Sequence, residues 1–65
     1  MSYTERVRQE ALELNEKISR LEDFMHSDSY TEVDHVEAGL LMSQLRAMRG
    51  YASVLRERLE LHDGK

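Results

Sequence analysis

Cysteine and proline are absent from the 65 residues, and aromatic side chains are few, three tyrosines and one phenylalanine. Without cysteine there is no disulfide framework, and no Cys/His cluster stands at zinc spacing, so the two usual staples of a very small fold are missing. Chains this short bury only about 60% of the surface they expose when unfolded. Self-association is the staple that remains, because a second copy removes apolar surface from water at roughly 25 cal/mol per Å². The lack of cysteine fits any compartment.

Long apolar runs are missing as well. No N-terminal run has the apolar core of a signal peptide, and no window approaches the roughly 20 apolar residues of a membrane span. The helix flanks also lack the clustered lysines of a membrane-surface helix. The expectation is a cytoplasmic protein with no membrane partner. Positive charge is in deficit: 13 acidic residues against nine basic ones give a formal charge of −4. That balance argues against duplex nucleic acid, where neutralising phosphates dominates binding. It leaves room for selective capture of a small anion.

Catalytic and metal-binding patterns are likewise missing. His26, His35 and His62 are scattered, with none of the spacings that hold a metal, so neither metal nor cofactor is expected. No Gly-rich loop follows a strand, and no serine sits in a nucleophile motif. The carboxylates lie on outer helix faces with basic neighbours, as solvated faces do. An enzyme is not expected.

What is present is helical periodicity. An apolar share of 40% and a charged share of 34%, with no proline, suit amphipathic helices better than disorder. Leu41, Leu45, Met48, Ala52, Leu55 and Leu59 recur at alternating spacings of four and three, which is a heptad seam. Val7, Ala11, Leu14, Ile18, Leu21 and Met25 repeat the same pattern earlier in the chain, with Leu12 and Phe24 widening the stripe. On the outer face Glu13–Lys17 and Glu16–Arg20 form i,i+4 pairs in the favourable orientation.

The first helix starts near residue 4, where Ser2 and Glu5 fit a capping box and Thr4 competes as the cap. It ends near His26, because Ser27, Asp28 and Ser29 prefer local hydrogen bonds. Tyr30 to Val33 form a loose turn that packs over the hairpin end. Asp34 caps the second helix, with Glu37 as reciprocal partner, Val33 as staple and Thr31 as the alternative cap. Gly64 is a candidate stop signal. The sequence thus predicts one all-α domain over 1–65, an antiparallel helical hairpin with helices at about 4–26 and 35–62. The second helix is longer by more than a turn, which places an overhang at its C-terminal end.

A second apolar row, Val36, Leu40, Ala47, Tyr51, Val54 and Leu61, runs beside the main seam. Two seams suggest contact with the first helix on one side and with another copy on the other, a helical-bundle homo-oligomer with Val36, Leu40, Ala47, Val54 and Leu61 at its interface. The plainer reading is one wide face wrapping a single hairpin core. Gly39 and Gly50 each cost about 1 kcal/mol inside a helix, which invites a close approach or a bend as the reason. Gly50 lies within Arg46-Ala47-Met48-Arg49-Gly50-Tyr51. There Arg46 and Arg49, three apart, suit phosphate oxygens, and Tyr51 suits stacking on a base. The plainer reading makes them solvated charges and an interface aromatic. Tyr3 is a further candidate ligand contact, reaching a neighbouring subunit, unless the N-terminus frays.

Glu13-Leu14-Asn15-Glu16-Lys17-Ile18-Ser19-Arg20-Leu21-Glu22-Asp23-Phe24, followed by Leu41 to Gln44-Leu45-Arg46-Ala47-Met48 and then Tyr51, Leu55 and Arg58, resembles a family of very small phage proteins related to a crAss-like phage product. The resemblance covers about residues 7–61. More distantly, the hairpin is similar to the phage anti-CBASS and anti-Thoeris sponge proteins. Those bind cyclic nucleotide immune signals between subunits of an oligomer and remove them without cleavage. The sponge hairpins open their second helix with a Ser-Arg-Glu-Lys type run, where this chain has Asp34-His35-Val36-Glu37, so no ligand residue carries over. The resemblance implies a homo-oligomeric sponge for a cyclic di- or trinucleotide, whereas the candidate ligand contacts Arg46, Arg49, Gly50, Tyr51 and Tyr3 rest on this chain's own residues and on the oligomer argument alone. The alternative is a helical adaptor that binds a protein partner through the second apolar row.

Overall fold

The computed structural model describes residues 2–63, the last of them in backbone alone. Two α-helices and a 3₁₀ turn make up the order: α1 Tyr3–Met25, the turn Asp28–Glu32, and α2 His35–Asp63. There is no strand among the described residues. Ser2 is the first cap, accepting the Glu5 backbone N–H at 3.2 Å, while its hydroxyl donates to Glu5 Oε1 at 3.2 Å. Thr4 is already inside the helix.

Local polar groups end α1, which has no glycine at its close. The His26 backbone N–H donates to the carbonyls of Glu22 and Asp23, and the ring Nδ1 donates to Glu22 O at 2.7 Å. Ser27 Oγ donates to Phe24 O at 2.6 Å. These bonds occupy carbonyls that the last helical turn would leave open. Thr31 takes no part in capping α2 and donates to Asp28 O at 2.7 Å instead. Asp34 is the cap, and its carboxylate accepts from the Val36 N–H at 3.1 Å. The candidate stop signal Gly64 lies outside the described residues.

Val7, Leu14 and Ile18 of α1 meet Leu45 and Leu55 of α2 in the buried core, with Ala11, Leu21, Met25, Met48, Ala52 and Leu59 packed against it. Every one of these residues belongs to a predicted seam. The molecule measures 47 × 16 × 15 Å, a rod no thicker than two helices side by side. Its core is a single layer, so only residues on the mutual seam are shielded. Leu12, expected to widen the α1 stripe, is exposed for that reason. On the outer face Glu13 accepts from Gln9 at 3.0 Å rather than pairing with Lys17.

The surplus length of α2 lies at the hairpin end, not at its C-terminus as its length alone suggested. Tyr3 meets His62 edge-on, with ring centroids 5.3 Å apart, and the Arg58 guanidinium lies 5.5 Å from the Tyr3 ring centre and donates to its hydroxyl. The start of α1 therefore covers α2 as far as His62. At the other end the 3₁₀ turn covers the first turns of α2. Tyr30 donates to Ala38 O at 3.4 Å and packs edge-on against Phe24, with centroids 5.9 Å apart. Tyr30 and Val33 are half-buried there, as the sequence indicated.

Candidate ligand-binding site

An α-helix advances about 100° per residue, and that rotation sorts the candidate residues of α2. Arg46 and Arg49 lie about 60° apart on one flank, whereas Tyr51 is about 200° from Arg49, on the other flank. A single chain does not bring the three together. Arg46 is exposed with no hydrogen bond or ion pair among the described residues. The Arg49 guanidinium donates to Glu22 Oε2 across the hairpin and closes an ion pair with it. Tyr51 is exposed among the second apolar row, and Tyr3 is held at the far end by Arg58 and His62.

Gly50 faces open space. A Cβ built there, or on Gly39, meets nothing within 4 Å, so no close approach inside the chain accounts for either glycine. The second row is equally uncovered: Val36 is 71% exposed, Leu61 68% and Leu40 60%. A shallow groove beside Val54, Glu57, Arg58 and Leu61 follows that face.

The Arg49 flank carries a larger groove of about 370 Å³, lined by Ala11, Asn15 and Ile18 from α1 and by Arg49, Ala52, Ser53, Arg56 and Leu59 from α2. That volume lies within the roughly 300–1,000 Å³ of small-molecule sites. Its origin is in the seams, where Ala11 and Ala52 stand at positions otherwise held by larger side chains. Arg49, Ser53 and Arg56 follow at spacings of four and three, so they share the groove's rim. The two guanidiniums supply fixed forks of donors suited to phosphate or carboxylate. Asn15 and Ser53 add polar groups between them, and Ala11, Ala52, Ile18 and Leu59 form an apolar floor. Arg56, Ser53 and Asn15 were not singled out from sequence. The spacing 49-53-56 would have found two of them, while Asn15 needed the pairing of the helices. Among the described residues no group of three or more His, Cys, Asp or Glu is arranged to hold a metal ion. No described helix is long and apolar enough to cross a membrane.

A family model described as Sequestin matches residues 1–61. Among curated proteins the chain is 37% identical over 59 residues to an "Uncharacterized 7.5 kDa protein in denB-rIIB intergenic region" of Enterobacteria phage T4, covering 91% of this chain and 92% of the relative. No solved structure matches.

Proposed function

The chain belongs to the Sequestin family, with a phage relative of nearly its own length, and on that premise we propose that it sequesters cyclic oligonucleotide immune signals as a homo-oligomer. The family name speaks of sequestering. The ligand class rests on one observation, a groove with an apolar floor and two arginines on its rim, in a chain whose net charge is −4. A negatively charged protein that concentrates guanidinium groups at one small groove is suited to a compact anion rather than to a nucleic-acid duplex. Capture is stoichiometric and breaks no bond.

In this reading Arg49 holds a phosphate, and Arg46 extends the basic flank. Tyr51 stacks on a base only where a second copy brings its other flank to the groove. The exposed row from Val36 to Leu61 supports such an assembly, because a rod one helix pair thick leaves that row in water. Gly50 is then the place where another helix approaches α2, and Tyr3 contributes at the end of the rod.

Native mass spectrometry with a panel of cyclic di- and trinucleotides tests this directly. The expected result is a discrete oligomer that gains whole nucleotide masses, with Arg46→Ala and Arg49→Ala weakening the gain. A discrete oligomer that gains none excludes the sponge. The same uncovered row favours a second reading, a helical adaptor that docks a protein partner. In that case Val36, Leu40 and Val54 are required for partner capture and the arginines are dispensable.

A further inference from the structure

We propose that Glu22 is the groove's built-in competing anion, a carboxylate that a bound phosphate must displace from Arg49 and that thereby sets affinity. The inference rests on the sequestering reading and assigns a residue to it. Two arginines on one rim are in different states. Arg49 is paired with Glu22 from the opposite helix, and Arg56, one groove length away, has no ion-pair partner among the described residues. Residues seven apart on a helix have Cα atoms about 10.5 Å apart along the axis, and both side chains are long and mobile. A ligand carrying two phosphates joined through sugars can therefore engage both, with its flat bases over Ala11, Ala52 and Ile18.

Arg56 takes the first phosphate without losing any contact. The second reaches Arg49 only by replacing the Glu22 carboxylate, one oxyanion for another on the same guanidinium fork. Because the pair is solvent-exposed, 59% for Arg49 and 36% for Glu22, its hold on Arg49 is weak and the exchange is easy. A ligand with one phosphate settles on Arg56 and leaves the pair closed. Glu22 thus lowers the affinity for ligands with two phosphates and leaves that for ligands with one unchanged.

Isothermal titration of the whole protein with cyclic di-AMP, cyclic di-GMP and cyclic GMP-AMP tests the assignment, using whichever probe binds. Glu22→Gln is expected to tighten binding about two- to fivefold, the range an exposed ion pair spans. Glu60→Gln removes the same charge one turn beyond Arg56, where no ion pair is formed, and is expected to leave affinity within about twofold. Arg56→Gln is expected to weaken binding about tenfold or more. Binding by Glu22→Gln alone, with none by the wild type even at concentrations about tenfold above the variant's Kd, overturns the easy exchange and with it the proposal. Wild-type binding that Glu22→Gln leaves unchanged, or that Glu60→Gln strengthens equally, overturns it while the sequestering reading stands. No binding by any form overturns both. Circular dichroism establishes that each variant is helical.

Discussion

Truncating leucines on the two faces of α2 separates an isolated hairpin from an assembly. Leu55 is 0% exposed, and Leu→Ala at such a site costs about 2–5 kcal/mol. At roughly 0.05–0.15 kcal/mol per residue, a chain of 65 residues has on the order of 3–10 kcal/mol in all. Leu55→Ala therefore removes a large part of the stability whether or not copies associate. Leu40 and Leu61 differ, because their side chains stand mostly in water within the hairpin. In an isolated chain their truncation stays within about 0.5 kcal/mol. Where a second copy covers the row, the same change forfeits up to about 1.5–3 kcal/mol per leucine. Urea unfolding followed by circular dichroism, at micromolar and millimolar protein, reads both cases. The wild-type midpoint is expected to rise with concentration, and Leu40→Ala and Leu61→Ala are expected to lower it at high concentration and flatten its concentration dependence. Leu55→Ala is expected to lower it at every concentration. A wild-type midpoint that ignores concentration, with both surface leucines silent, refutes the reasoning and leaves the second row uncovered.

Gly39 and Gly50 have open space where a Cβ would stand and no positive φ, so Gly→Ala at either is expected to stabilise the dilute protein by about 0.5–1 kcal/mol, read from the urea midpoint. Loss of the oligomer on Gly50→Ala, seen in native mass spectra, would place another helix in that space, whereas destabilisation of the dilute hairpin contradicts the open geometry. Ala52→Leu fills the groove between the helices and is expected to abolish nucleotide binding while helicity is retained. Full binding by this variant would exclude the groove as the binding site.

The helices were legible because their signals are local. Both seams, the Ser2 box and the Asp34 cap lie within a few residues of what they control, and the predicted bounds fall within one residue of Tyr3–Met25 and His35–Asp63. The pairing of one helix with the other was not legible, since length alone does not say which end of the longer helix is left over. Tyr3 against His62 and Tyr30 over Ala38 decide it, and both contacts join residues far apart in the chain. The candidate groove was legible in half. The hexapeptide from Arg46 to Tyr51 groups residues that are neighbours in sequence, yet helix neighbours diverge by about 100°. The residues that share a rim are Arg49, Ser53 and Arg56, and the space between the helices comes from alanines inside the apolar seams, where a search for polar motifs does not look. Arg49 and Tyr51 stand on opposite flanks of the same helix, so a ligand held by both must touch two chains. A sponge that uses this arginine and this tyrosine on one nucleotide is necessarily an oligomer, whereas a monomeric hairpin that binds nucleotide does so with the arginine flank alone.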